Sequence, residues 1–184
     1  MNDQQILGSL EVADTSTPLT FYKGISERQI QQIIQYANED DLVKKYTSDP
    51  KRFTNMEAFK QWLQKGRSIY SLSDSAGNLA GVIWFGPKEM PYKAFTEPIR
   101  REDYGVTFSI RIYSEWRGKH LARPFTKMAF AEYEKSPEYL QLANNNMWLE
   151  TSADNPSAVA AYEKFGFRLV TVPDEHNKIL MVLN

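Results

Sequence analysis

The chain has 184 residues, enough for one domain with a substantial core and short for two. Its 22 basic and 23 acidic residues leave a net charge of −1, so no basic field points to nucleic acid or to an anionic membrane as a partner. Cysteine is absent and only two histidines occur, which excludes disulfides, thiolate nucleophiles and cysteine-ligated metal ions. We therefore expect one domain over residues 1–184 that holds no metal.

The hydropathy along the chain favours a cytoplasmic protein. No apolar run approaches the about 18 residues that a transmembrane helix needs. The first residues have neither the basic start nor the apolar core of a secretory signal. Residues 1–18 are polar, and we expect them to be loosely held.

The first half of the chain predicts a short strand, LTFYK, followed by two amphipathic helices. Ser26 and Gln29 form a capping box at the start of a helix over residues 25–38, whose isoleucines make one apolar stripe. A second capping box, Thr54 with Glu57, is expected to open the next helix.

Strands and helices alternate in the second half. Apolar and polar residues alternate over residues 104–113, which is typical of a strand with one buried face. The connection over residues 86–103 contains three prolines and is long for a compact domain, so we expect it to be functional or disordered. The remaining elements are strands at 68–73, 79–85, 146–151, 167–172 and 179–183, and helices at 121–135 and 155–165. The order βααβββαβαββ predicts a mixed α/β domain.

A group of cations lies where a helix is predicted to begin. Pro124 lacks an N–H and is tolerated only in the first turn, so the unpaired amides belong to residues 118–123. Arg117, Lys119 and Arg123 surround these amides, at the end of a helix that already carries partial positive charge. Cations beside the positive end of a helix are unfavourable, and a bound phosphate group would remove this repulsion. The other interpretation is that the side chains extend into solvent, where charges interact weakly. The residues alone leave both open.

A second group of polar residues follows a later strand. Glu150 shares a strand face with Trp148, Asn155 suits an N-cap, and Tyr162 projects from the short helix that Gly166 ends. A carboxylate in this position is also typical of a solvent-facing residue, and a lone tyrosine of a core aromatic.

Together the two segments resemble the GNAT superfamily of N-acetyltransferases. Its acyl-CoA motif, R/Q-x-x-G-x-G/A, corresponds to residues 117–122, which read RGKHLA. Its later motif, an Asn-led helix ending in Y-x-x-x-G-F, matches the residues from Asn155 to Phe167. The WLE…N…Y spacing looks especially like that of bacterial enzymes that acetylate the N-terminus of a ribosomal protein.

The resemblance implies a GNAT-like mixed sheet with helices on both faces and acetyl-CoA as co-substrate between strands 104–113 and 146–151. By resemblance Glu150 is the general base, acting through water, and Tyr162 gives a proton to the leaving thiolate. A backbone N–H of strand 104–113 would serve the oxyanion. The implied cofactor contacts are Ile110, Arg111, Ile112, Arg117, Gly118, Lys119, His120, Leu121, Ala122, Arg123 and Asn155.

Several alternatives stay open at this point. His120 replaces the motif's middle glycine, which either shifts the loop or tightens it with an added donor. The acceptor is a primary amine, either a protein N-terminus or a small amine, polyamine or aminoglycoside. A non-catalytic acyl-CoA-binding regulatory domain is the alternative of another class. Residues 39–41 are acidic and either attract a cationic amine or form a solvated loop. The protein is expected as a monomer or a homodimer.

Overall fold

The computed structural model describes residues 4–12 and 18–184, which form one eight-stranded sheet in the order β1-β2-β3-β4-β5-β6-β8-β7. The strands are β1 Gln5–Leu10, β2 Leu19–Lys23, β3 Ser68–Ser73, β4 Leu79–Pro87, β5 Val106–Ile112, β6 Met147–Ser152, β7 Arg168–Leu169 and β8 Lys178–Leu183. The helices are α1 Glu27–Glu39, α2 Asp41–Tyr46, α3 Asp49–Arg52, α4 Met56–Leu63, α5 Ala122–Tyr133, α6 Pro137–Leu140 and α7 Pro156–Lys164. The predicted mixed α/β sheet is confirmed.

Helices cover both faces of the sheet, because successive strand residues point to opposite sides and most are apolar. On β4, Val82 and Trp84 pack against the layer formed by α1 to α4. Ile83 and Phe85 of the same strand belong to the opposite core, together with residues of α5 and α7. The alternation of β4 therefore builds two cores, and the strands between them are held from both sides.

A third apolar cluster lies under the connection over residues 86–103. Met90 of this connection is buried against Trp148 of β6 and against Leu180 and Val182 of β8. The Trp148 indole Nε1 donates to the Lys88 carbonyl at 2.8 Å. The connection expected to be functional or disordered is thus packed across the β6–β8 part of the sheet.

The structure corrects three details of the sequence analysis. Gln5–Leu10, expected to be loosely held, forms strand β1 and pairs with β2, whereas residues 1–3 and 13–17 lie outside the described part. The short helices α2, α3 and α6 were not predicted. The N-cap of α4 is Asn55, whose side chain accepts from the Ala58 amide at 2.9 Å, so the capping box assigned to Thr54 was wrong.

Candidate active site

Strands β5 and β6 part shortly after they meet. They pair in parallel at two positions, Val106 with Met147 and Thr107 with Trp148. Beyond these positions β5 stays paired with β4 through Ile112, and β6 stays paired with β8. The facing edges of the two strands are therefore unpaired over the rest of their length, and they leave a wedge-shaped gap in the middle of the sheet.

Two backbone amides of β5 point into this gap. Alternate residues of a strand direct their N–H and C=O groups to opposite sides. The Tyr113 amide donates to the Ala80 carbonyl beside β4, so the amides of Ile112 and Ile110 point toward β6. The carbonyls of these two isoleucines accept side-chain hydrogen bonds from Arg117 and Arg111, both at 2.9 Å. Among the residues that the structure describes, the amides of Ile110 and Ile112 thus have no hydrogen-bond acceptor along the gap.

The loop between β5 and α5 contains two left-handed residues. Gly118 has φ 76° and His120 has φ 56°. His120 therefore adopts a conformation that favours glycine, at the position where the family motif has glycine. A Cβ built on Gly118 meets no heavy atom within 4 Å, so the space in front of this residue is open. The histidine is exposed and keeps the loop in a glycine-like form.

Helix α5 begins at Ala122 directly behind this loop. Its N-cap, Leu121, is in a helical conformation, and no side chain of the described residues caps the helix. The first hydrogen bond runs from the Phe125 amide to the Leu121 carbonyl at 3.0 Å. Leu121 is buried and anchors the turn in the core. Unpaired amides at a helix start bind anions, and these follow Gly118 closely along the chain.

The three cations predicted around these amides have different surroundings. Arg117 turns away from the loop and donates to Asp40 at 2.5 Å. The Lys119 ammonium lies over the Trp116 ring, 4.5 Å from its centroid. Arg123 is exposed in the first turn of the helix. Arg117 therefore braces the loop against the helix layer, while Lys119 and Arg123 remain at its outer side.

Arg111 is a second cation that the helix layer holds. Its guanidinium donates to both carboxylate oxygens of Asp49, at 2.7 and 3.1 Å, and lies over the ring of Trp84. Burial lowers the pKa of Arg111, but the charge and hydrogen bonds of Asp49 outweigh this effect and raise it. The Asp49 side chain is 3% exposed. This bidentate pair fixes α3 against the end of β5.

Tyr162 of α7 lies in the core beneath the gap. Its ring contacts those of Phe108 on β5 and Phe167 in edge-to-face arrangements, at 6.1 and 6.0 Å between centroids. Burial raises the pKa of the Tyr162 hydroxyl, and the charge of Arg111 opposes that shift in part. The hydroxyl is therefore protonated at neutral pH. Asn155 begins the same helix, and its side-chain oxygen accepts from the Ala158 amide at 3.2 Å.

Glu150 is the exposed residue of a strand that is otherwise buried. It lies on the same face of β6 as Trp148, as predicted, and faces the connection over residues 86–103. The Lys93 ammonium of this connection donates to Glu150 at 2.8 Å and to Asp174 at 2.7 Å. The hydrogen bond from Lys93 is the largest of the effects that lower the pKa of Asp174, to about 2.

The acidic stretch at residues 39–41 has mixed surroundings. Asp40 is buried, caps α2 and pairs with Arg117, while Asp41 pairs with Lys44 at the surface. Glu39 lines a polar cavity of about 460 Å³ between α1 and the turn at Glu115. This cavity does not reach Glu150 or Tyr162, so it is separate from the gap.

The sequence patterns gave no specific role to four charged residues of this region: Asp40, Asp49, Lys93 and Asp174. Each acts on a partner far along the chain; for Lys93 and Glu150 the separation is 57 residues. A local signal existed for Asp40 alone, which stands at an N-cap position before a helix.

Within the described ranges no group of three metal-ligating side chains occurs, and no helix is long and apolar enough to cross a membrane.

Comparison with known proteins relates this chain to one family. Residues 36–167 match the model of the acetyltransferase (GNAT) family. A spermidine N-acetyltransferase from Vibrio cholerae, solved with CoA and spermine, has 18% identity and a TM-score of 0.62 over 90% of this chain and 93% of its own. A domain from Methanocaldococcus jannaschii has 14% identity and a TM-score of 0.63 over 92% of this chain and 99% of its own. The comparison with curated proteins found no match.

Proposed function

Since this chain belongs to the acetyltransferase (GNAT) family, we propose that it transfers the acetyl group of acetyl-CoA to a primary amine. The observation that carries the proposal is the gap between β5 and β6, which has free amides on one side and an uncapped helix start at its end. The loop that leads from β5 to this helix start adds two residues at positive φ, Gly118 and His120.

The residues around the gap suit acetyl-CoA. The Ile112 amide would bond the extended pantetheine arm as a neighbouring strand does. The amides of residues 118–123 would hold the pyrophosphate, and the open space at Gly118 lets its oxygens approach the backbone. Lys119 and Arg123 add positive charge outside the loop. Arg117 supports the site through Asp40 and the Ile112 carbonyl, and the remaining amide donors of Asn155 are available to the cofactor arm.

The chemistry that follows is direct transfer without a covalent enzyme intermediate. Bound acetyl-CoA supplies a thioester carbonyl as the electrophile. An acceptor amine with a pKa near ~10 arrives as an ammonium ion, and Glu150 takes its proton through water. The Ile110 amide donates to the carbonyl oxygen as negative charge develops there. The neutral amine attacks the thioester carbon, so that a carbon–nitrogen bond forms as the carbon–sulfur bond breaks. The buried, protonated Tyr162 gives its proton to the departing sulfur, and the second proton of the amine nitrogen restores the tyrosine hydroxyl.

A small cationic amine is the acceptor that the comparisons favour. The chain shares its fold with a spermidine N-acetyltransferase over nine-tenths of both chains. The other candidate is the N-terminus of a protein, which the WLE…N…Y spacing favours. Both acceptors present a primary ammonium group, so the site chemistry described above serves either one.

The test is acceptor-dependent release of the CoA thiol from acetyl-CoA. Acceptors would be spermidine, spermine, an aminoglycoside and a short peptide with N-terminal alanine. We expect the wild-type protein to turn over a polyamine. We expect Tyr162→Phe to bind acetyl-CoA but to lose turnover. Turnover with the peptide alone would select the protein acceptor. Binding of acetyl-CoA without turnover of any amine would instead indicate a regulatory acyl-CoA-binding domain.

A further inference from the structure

We propose that Lys93 mimics the acceptor: its ammonium occupies the place on Glu150 where an acceptor ammonium first binds, before a water carries its proton, and acceptors must displace it. This inference rests on the proposed function, because it assigns Glu150 to the acceptor side of the gap. It makes Lys93 a residue that selects among acceptors, although it takes no part in the chemical step.

The functional group supports this assignment. A lysine side chain ends in a primary alkylammonium, the same group that a polyamine presents. Its nitrogen lies 2.8 Å from Glu150 of β6 and 2.7 Å from Asp174 in the turn before β8, so two carboxylates share one ammonium. The side chain of Lys93 is 15% exposed, whereas that of Glu150 is 41% exposed. Solvent still reaches the carboxylate past the lysine, so an incoming ammonium can contact it.

The backbone on both sides of Lys93 is fixed. Met90 is buried, and its carbonyl accepts from Arg101 at 2.9 Å. On the other side, Phe95 pairs with Thr171, and the Thr96 amide donates to the Val170 carbonyl at 3.0 Å. Release of the ammonium therefore requires rotation of the flexible lysine stem and no rearrangement of the connection. A contact of this kind opens without loss of the fold.

The consequence is a selective reduction of acceptor affinity. A site that its own lysine fills about 90% of the time binds an acceptor about tenfold more weakly than the open site does. An acceptor with a second positive charge competes better, because it can pair with Glu150 and Asp174 together. Lys93 thus favours polycationic acceptors over simple monoamines.

The first test needs no acceptor turnover. Lys93→Ala leaves both carboxylates without their cation, and n-butylammonium chloride replaces the lost stem and charge. At about ten times its Kd this probe raises the melting temperature by about 3 °C relative to sodium chloride of equal strength. Wild type, whose site is about 90% filled, and Lys60→Ala, which removes a surface partner of Glu27, should rise by only about 1 °C. Equal responses of wild type and Lys93→Ala would overturn the proposal.

A second variant shows that the response comes from this site. Asp174→Asn keeps the side-chain oxygen that accepts from the amides of His176 and Lys178, so the turn is preserved, but it removes the negative charge. In Lys93→Ala combined with Asp174→Asn the butylammonium response should be lost. Its persistence would place the probe elsewhere and contradict the assignment.

Kinetics with spermidine complete the test. The KM for spermidine should fall about tenfold in Lys93→Ala with kcat unchanged, and Lys93→Arg, which keeps a cation, should stay near wild type. An unchanged KM in Lys93→Ala overturns the inference while the proposed function stands. If acetyl-CoA fails to bind at all, the proposed function fails, and the butylammonium response still decides whether the two carboxylates receive an external ammonium.

Discussion

The two halves of the site differ in how their polar groups are satisfied. On the cofactor side, the amides of Ile110 and Ile112 and those at the start of α5 are unpaired in the described chain. On the acceptor side, the charged side chains are already engaged: Lys93 pairs with both Glu150 and Asp174. One half offers donors that are fixed in place, while the other holds charges that an incoming ligand must exchange.

This difference has a physical origin. Backbone amides keep their positions because the strand and the helix fix them, so they can wait for a ligand with little reorganisation. Partly buried charged side chains form ion pairs, because an unpaired charge with little access to solvent raises the free energy of the fold. A cofactor site made of backbone and an acceptor site made of side chains therefore call for different experiments.

Removing the Tyr162 hydroxyl tests the proposed proton donor to the departing sulfur. In Tyr162→Phe the departing sulfur loses its proton donor, and we expect kcat to fall about 10² to 10³-fold with the Kd for acetyl-CoA unchanged. Thiol release and calorimetric titration measure the two quantities. Tyr139→Phe, a tyrosine change on α6, serves as the control. Turnover at the wild-type rate in Tyr162→Phe would remove this residue from the mechanism.

Breaking the Asp49–Arg111 pair tests how α3 is held against β5, the strand that carries the free amides. Asp49→Asn leaves a nearly buried guanidinium without its counter-charge, so the free energy of unfolding should fall by about 3 kcal/mol in urea titrations. Asp41→Asn removes a carboxylate that pairs with Lys44 at the surface and should cause no measurable loss. Similar stabilities of the two variants would show that the buried pair does not hold α3 against β5.

A substitution at Gly118 tests the cofactor side. Gly118→Ala strains a residue with φ 76° by about 1 kcal/mol and places a methyl group where the pyrophosphate is proposed to lie, so the Kd for acetyl-CoA should rise about tenfold. Gly77→Ala imposes similar strain, at φ 79°, in the turn between β3 and β4 and should leave the Kd unchanged. Equal effects of the two variants on binding would contradict the placement of the loop.

The smallest expected effect is the change in the free energy of unfolding at acid pH that arises from the ion pair between Lys93 and Asp174. The pKa of Asp174 is lowered from 3.8 to about 2, mainly by the hydrogen bond from Lys93, so this carboxylate stabilises the fold above pH ~4. That contribution is lost as the pH falls from about 4 toward 2. In Asp174→Asn the free energy of unfolding should vary less over this range than in wild type. Parallel curves would mean that the ion pair adds nothing to stability.

Local signals were sufficient for the framework of the site. The alternation along β5 and the position of Pro124 predicted the strand, the turn and the start of α5 within two residues. The face of Glu150 followed from its spacing to Trp148. These features depend on neighbours along the chain, so the sequence carries them directly.

Other features depend on contacts between distant segments. Strand β1 is a half-exposed edge strand with no strong apolar alternation, so it resembled a polar terminus. Lys93 lies in a segment without regular structure, and no sequence pattern indicates that it reaches Glu150. Arg117 and Arg111 were assigned from the family resemblance. The carboxylates that orient them are Asp40, which caps α2, and Asp49 of α3, and neither of these short helices was predicted.

The account depends most on acetyl-CoA binding at the gap with His120 in its glycine-like conformation. The most direct measurement is the melting temperature of the protein with and without excess acetyl-CoA. At about 100 times its Kd, the cofactor should add about 2.7 kcal/mol, a rise of about 5 to 10 °C for a chain of this size, and Gly118→Ala should need more cofactor to reach it. An unchanged melting temperature at millimolar acetyl-CoA would contradict the account.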